Sequence, residues 1–198
     1  MASVSGIHGV ARGAVELPSQ LLELWCWQPE SLKIISKHYK TGKPLPVKWV
    51  KTMVSTKNFQ AALWMLRQLE FALFDFKLHL TEVFVTGEMI QKLLNTIRQK
   101  TSCIRPESYS RFQHSFTHIF AGGYAAGYYS YLWADVLVCD VFQAFLSAGI
   151  FDQKTARKLK ATILSQGGSE DAMTLFKKFR GRAPELKYLL KLYGLKTK

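Results

Sequence analysis

Residues 112–134, FQHSFTHIFAGGYAAGYYSYLWA, gather side chains able to do polar chemistry without charge. The run has no Asp, Glu, Lys or Arg, in a chain whose formal net charge is +13. It holds two histidines, a Gly122-Gly123 pair, Gly127 and four tyrosines. On a helix, Tyr124, Tyr128 and Tyr131 fall at i, i+4 and i+7 and share one face. Phenols along one wall can donate hydrogen bonds to a substrate carbonyl or to an oxyanion developing from it. His118, just upstream, could bind or polarise the same ligand. The glycine pair leaves room for close ligand approach and permits unusual dihedrals. A plainer account also fits: aromatic core packing with each hydroxyl satisfied internally, and a hydrogen-bonded structural His118. His114 has no assigned role.

Two acidic residues join this set. Glu16 precedes or opens a helix expected from about Pro18, and Glu23, seven residues on, faces the same side if the helix extends back that far. Favourable charge at a helix N-terminus accounts for Glu16 without any chemistry. No complete catalytic centre can be assembled by spacing. There is no His-Glu-x-x-His, no nucleophile elbow, no P-loop and no Cys/His cluster.

The elements that must position these residues read as helices. Residues 1–15 are glycine-rich, lack the apolar core of a signal peptide and read as loop. Helices are expected over 18–28, where Pro29 ends or bends the element, and over 30–39. A breaker, TGKPLP, occupies 41–46, and 46–54 is the next helix. A long helix is expected over 58–80, with apolar positions 59, 62, 63, 66, 69, 73 and 76 on its packed side and Arg67, Glu70 and Lys77 between them. His79 near its end reads as a partner of the C-terminal dipole. Further helices follow over 86–100 and 125–146, then from Gln153 after an Asp152 cap to Ser165. The last two are expected over 169–179 and 184–194. No strand alternation and no repeat period occur, so the fold class is all-α.

The 198 residues include 48% hydrophobic and 13% aromatic side chains, enough for a core. The 27 Lys and Arg against 14 Asp and Glu favour acidic partners in general. Without an aromatic-interleaved basic motif, the denser patches at 154–160 and 177–182 read as solvated helix faces, and no nucleic-acid partner is expected. The uncharged run is long enough to raise the question of a membrane span. Its glycines, histidines and hydroxyls make a poor lipid-facing helix, and no membrane partner is expected. Cys26, Cys103 and Cys139 are odd in number and lack metal or redox spacing. Two of them lie in apolar runs as small hydrophobes, and a reducing, cytoplasmic compartment fits.

The runs AVELPSQLLELWCW (14–27), NFQAALWMLRQLEFALFDFKLH (58–79) and above all FTHIFAGGYAAGYYSYLWADV (116–136) resemble the oligopeptidase A branch of the thimet oligopeptidase family. These are zinc-dependent peptidases of mostly helical fold. SQGGSEDAMTLFKKFRGRAPELKYLLKLYG (165–194) resembles the family's C-terminus. The resemblance runs from about Val4 to the end and covers the last part of a family member, so residues 1–198 are expected to be the C-terminal part of a peptidase catalytic domain. It implies that Glu16 matches the third zinc ligand, in its E-x-P-S-Q context. It also implies that His118, Tyr124 and Tyr131 match the His and two Tyr that contact substrate and stabilise the tetrahedral intermediate. Gly122, Gly123 and Tyr128 would line the cleft, and Glu23 would support the ligand shell. Family members usually carry Asp where this chain has Gly13.

The same resemblance puts the zinc-binding histidine pair and the general base in a His-Glu-x-x-His motif upstream of the third ligand. Fifteen residues precede Glu16, with His8 their only histidine. The chain alone is therefore expected neither to hold the family's Zn²⁺ nor to cleave short peptides, and an upstream fragment carrying the motif is an expected partner. The open alternatives are a helical peptide-binding module without chemistry and, on net charge alone, a nucleic-acid-binding protein.

Overall fold

The computed structural model describes residues 9–195. Its helices, in chain order, are α1 (Leu17–Glu23), α2 (Pro29–Ile35), α3 (Val47–Thr56), α4 (Ala61–His79), α5 (Gly87–Thr101), α6 (Thr117–Phe120), α7 (Ser130–Ala148), α8 (Gln153–Leu159), α9 (Ala172–Arg180) and α10 (Lys187–Leu192). Short 3₁₀ turns at Arg12–Ala14, Leu24–Trp27 and Phe112–His114 and a π-helical stretch at Lys160–Leu164 join them. The all-α expectation holds, and no strand occurs among the described residues.

Local chemistry explains most of the boundaries. Thr86 caps α5 by accepting the Met89 N–H at 3.3 Å, and Asp152 caps α8 by accepting from Thr155 at 2.6 Å. Asp171 does the same for α9 through Thr174 at 3.0 Å, and Gly181 closes that helix in the left-handed region, φ 77°. Pro29 follows the end of the preceding element, whose cap Gln28 is extended as a residue before proline favours, and it also starts α2, because a first-turn proline needs no N–H partner. The 1–15 loop expectation is corrected at Arg12–Ala14, which form a 3₁₀ turn, while residues 1–8, His8 included, lie outside the described residues.

The chain divides into two compact units, residues 1–59 with 133–198, and residues 60–132. The first packs Leu17, Leu21 and Leu24 of the N-terminal helices with Leu137, Val138, Val141, Phe142 and Phe145 of α7 and with Phe176 and Phe179 of α9. Trp25 meets Phe142 and Phe145 edge-on and donates its indole N–H to the Ile150 carbonyl at 2.8 Å. Asp140, fully buried on α7, ties the C-terminal region to this core. It accepts from Arg180 Nε at 2.8 Å, from both Arg182 Nη atoms at 2.6 and 2.8 Å, and from the Glu185 N–H at 2.9 Å. Burial alone would raise the Asp140 pKa, and these bonds outweigh it, so the carboxyl is held below its usual range. The helix Ser130–Ala148 is long and apolar enough to cross a membrane, yet it supplies this core and carries a buried ion pair.

The second unit, residues 60–132, is built on α4 and α5 around Phe74, Leu78, Leu94, Ile97, Phe116, Ile119 and Tyr128. The packed side of α4 differs from the expected stripe. Phe74, Asp75 and Leu78 are buried, with Phe71 packed beside them, whereas Phe59, Ala62, Leu69, Leu73 and Phe76 are exposed. The helix is apolar nearly all round, so hydrophobic period alone does not choose a face. Its buried acids decide the matter: Glu70 pairs with Arg98 of α5 at 2.9 Å, and Asp75 binds backbone of the tyrosine loop.

Candidate functional site

The glycine–tyrosine stretch is not the helix that its spacing suggests. Only α6 and the start of α7 are helical, and residues 121–129 between them form turns. The three tyrosines are nevertheless brought together, by the fold of this loop. After α6 the chain reverses, with the Gly122 N–H donating to Thr117 O at 2.8 Å and the Tyr124 N–H to His118 O at 2.9 Å. A Cβ at Gly122 would sit 2.8 Å from His118 Cα and 3.0 Å from its carbonyl oxygen, so only glycine permits the reversal there. Gly123 has φ 80°, the left-handed region that glycine adopts without strain.

This reversal lays Tyr124 against His118 and Tyr131. The Tyr124 and Tyr131 rings stack with centroids 5.0 Å apart and planes 29° off parallel. The His118 ring lies 6.2 Å from each and 5.7 Å from Tyr128. His118 is exposed, while Tyr124 and Tyr131 are half-buried. Imidazole and phenols thus form one continuous wall inside the 60–132 unit. The fourth expected member, Tyr128, is buried; its hydroxyl donates to Gln68 Oε1 at 3.0 Å and its ring packs edge-on to Phe71 and Phe116. Burial first, then the neighbouring Tyr131, push its pKa up to about 12, against a smaller opposing effect of Arg67. Tyr128 therefore stays a neutral donor and acts as the post against which Tyr131 leans, 5.0 Å between centroids.

The wall rests on a residue outside the expected set. Asp75, fully buried on α4, accepts the Ala126 N–H at 2.9 Å on one carboxylate oxygen and the Tyr128 N–H at 2.8 Å on the other. His79 places Nδ1 2.8 Å from the same side-chain carboxyl and 2.9 Å from the Asp75 carbonyl, so it partners a buried polar group as well as lying at the helix C-terminus. Ala126 is held at φ 51°, left-handed for a residue with a Cβ, and Asp75 grips the N–H of that residue. The sequence carries a signal for Asp75: it shares a helix face with Phe71, Phe74 and Leu78, where an acid needs a partner.

Glu16 and Glu23 belong to the other unit. Glu16 sits at the N-cap of α1 with helical dihedrals, and its carboxylate accepts from Ser19 Oγ at 3.2 Å. Glu23 is exposed in the last turn of α1, where its charge acts on Lys57, Asp135 and Tyr193. Tyr193 donates to Asp135 Oδ2 at 3.2 Å. Burial, relieved in part by this bond, pushes the Asp135 carboxyl up to about 6. Gly13 packs under Trp133: a Cβ there would lie 3.2 Å from the indole Cδ1, so a side chain at this position needs the indole to move. Of the two cysteines in apolar runs, Cys139 is buried, its thiol pushed by burial up to about 12, but Cys26 in the run LWCW is exposed and is not packed as a small hydrophobe; Cys103 is exposed as well.

Together, fold and wall define an all-helical protein that presents an imidazole and paired phenols from a glycine-enabled loop, a set suited to polarising a carbonyl. The sequence matches Peptidase family M3 over residues 1–195, and the chain belongs to that family. It is 54% identical to oligopeptidase A of Escherichia coli (strain K12) over 98% of this chain and 29% of that protein. It is 44% identical to the probable cytosolic oligopeptidase A of Arabidopsis thaliana over 97% of this chain and 28% of that relative. Against saccharolysin of Saccharomyces cerevisiae the identity is 37% over 92% of this chain and 26% of the relative. The chain thus spans between a quarter and a third of the length of these relatives.

Proposed function

We propose that this chain is the substrate-facing C-terminal part of a zinc-dependent oligopeptidase that hydrolyses short peptides in the cytoplasm. The observation that carries the reading is the convergence of His118, Tyr124 and Tyr131 on one wall, in a chain of the M3 peptidase family. Donors of this kind hold a peptide carbonyl and strengthen their bonds as charge develops on its oxygen. Tyr128 and Asp75 keep the donors in place, and Gly122 and Gly123 shape the loop that carries them. Glu16 is the zinc ligand of the complete family site, with Glu23 supporting it.

The donors in hand do not by themselves fit a catalytic zinc, which takes three protein ligands. Among the described residues no three His, Cys, Asp or Glu side chains come together to hold a metal ion. In this reading an upstream segment carrying the His-Glu-x-x-His helix, outside these 198 residues, supplies the remaining ligands and the base. Short peptides are the substrates, and neither nucleic acid nor membrane is a partner.

The test starts from the purified 198-residue chain with zinc and a fluorogenic peptide. The expected result is no stoichiometric zinc and no chelator-sensitive cleavage until a polypeptide with the zinc-motif helix is added. Cleavage then appears, and Tyr131→Phe lowers its kcat by about 10²-fold. Stoichiometric zinc and cleavage by the chain alone overturn the need for a partner. Metal-free micromolar peptide binding that Tyr131→Ala abolishes, with no cleavage in any mixture, gives the function to a peptide-binding module instead.

A further inference from the structure

On the 60–132 unit, a cleft of about 310 Å³ opens between α5 and the loop that follows it. Gln91, Asn95, Arg98 and Gln99 line it from the helix, and Arg105, Glu107 and Ser108 from the loop. It is separate from the His–Tyr wall, with the rings of Phe112 and Phe116 between them: Arg98 lies 6.0 Å from the Phe112 centroid, Phe112 and Phe116 are 4.8 Å apart, and Phe116 is 6.0 Å from His118.

Arg98 is the unusual member. It is only 6% exposed, and its Nε donates to the buried Glu70 carboxylate at 2.9 Å. That bond uses one of five guanidinium N–H donors. Among the described residues the terminal nitrogens of Arg98 have no hydrogen-bond acceptor, although Arg98 lines the cleft. The terminal nitrogens are not among the buried polar atoms that lack a partner, so they reach the cleft and offer their N–H fork to an acceptor there. A relay of amides reinforces the polarity. Buried Gln113 donates through Nε2 to Gln91 Oε1 at 2.8 Å, and Gln91 donates through Nε2 to Asn95 Oδ1 at 3.0 Å. Both carbonyls downstream of Gln113 are thereby engaged, which leaves the Asn95 amide group as a donor at the cleft. Arg105 adds a second guanidinium at the rim, and Glu107 is the single carboxylate among the lining residues.

We propose that this cleft binds a carboxylate group, held by the Arg98 fork with the amide of Asn95 and the guanidinium of Arg105 closing over it. Fork and carboxylate match in geometry, which makes such pairs bidentate. Arg98 already faces Glu70, and Glu107 is a further negative charge among the lining residues, so a singly charged ligand meets less repulsion there than a phosphate dianion. The inference does not rest on the peptidase reading, since none of these residues belongs to the wall.

The test titrates the isotope-labelled 198-residue chain with N-acetylglycine, N-acetylglycinamide and inorganic phosphate at constant ionic strength. The Arg98 Nε–H resonance and the amides of Asn95, Gln99 and Ser108 report binding. N-acetylglycine is expected to shift them saturably, and the neutral amide is not. Arg105→Gln, at an exposed position, should weaken binding about tenfold, the loss of one charge-assisted bond. Gln99→Glu, which adds a negative charge at the rim, should abolish saturation. Equal shifts from the neutral amide, linear shifts without saturation, or full affinity in Arg105→Gln overturn the proposal. Phosphate saturating the same resonances more tightly than N-acetylglycine overturns the assignment to a carboxylate.

Discussion

Asp75 holds Tyr128 by its backbone, with Oδ2 accepting the N–H at 2.8 Å across 53 residues of sequence. The same carboxylate holds Ala126 at 2.9 Å in a left-handed conformation. Here the backbone is gripped from beneath, by a side chain with no exposure of its own. The arrangement fixes the course of the loop between α6 and α7.

Removal of that support should be costly. Asp75→Ala strands two buried or half-buried N–H groups and the His79 partner, and should destabilise the chain by about 3 kcal/mol in urea unfolding. Asp75→Asn keeps one acceptor and should cost less. Wild-type stability in Asp75→Ala would show that the loop is held by other contacts.

The two adjacent glycines should respond differently to the same change. Gly122→Ala drives a Cβ into the His118 backbone, a contact with no flexible end to give way. It should cost about 2 kcal/mol and part Tyr124 from His118, seen as loss of ring-current shifts between them. Gly123→Ala meets nothing within 4 Å and suffers only its positive φ, so about 1 kcal/mol with the ring contacts intact is expected. Equal effects at the two positions would contradict the assigned causes.

Much of the fold could be read from sequence because its signals are local. Thr86 and Asp152 mark their helix starts, and the helical period runs through nearly every segment. The face of α4 could not be read, since an aromatic-rich helix has several equivalent stripes and tertiary packing chooses among them. His118, Tyr124, Tyr128 and Tyr131 do lie together, but through a reversing loop and not through helical spacing. Side chains brought together by tertiary contacts leave only type and proximity in the sequence. Asp75 is legible only in part. Its place on an apolar helix face signals that it needs a partner, but the backbone that it binds, 51 residues away, cannot be read from the helix.

Asp140 should set the acid limit of the 1–59 and 133–198 unit. Its carboxyl is held below the usual range in the folded state, so it contributes stability above its unfolded pKa and loses it as pH falls through the folded value. Asp140→Ala leaves Arg180 and Arg182 without their shared counter-charge and should cost about 4 kcal/mol at pH 7. The gap from wild type should narrow in urea titrations run toward pH 3. A gap that stays constant with pH would assign the loss to packing alone.

Asp135 should act in the reverse direction. Burial first, with a further push from Glu23, raises its folded pKa to about 6, and the Tyr193 bond opposes this only in part. Below the unfolded value, near 3.8, both states hold the proton and ionisation imposes no penalty. Between pH 4 and about 6 the unfolded chain loses its proton first, so stability from this group falls as pH rises, and above about 6 the penalty is complete. Its size is roughly 2 kcal/mol, from a shift of about two units reduced for residual solvent access. Asp135→Asn removes the charge and keeps an acceptor for Tyr193. Relative to wild type it should be stabilising at pH 7.5 and neutral at pH 4, read as the difference in urea midpoint so that Asp140 cancels. A difference that does not change between the two pH values would mean that Asp135 ionises at no cost in the folded chain.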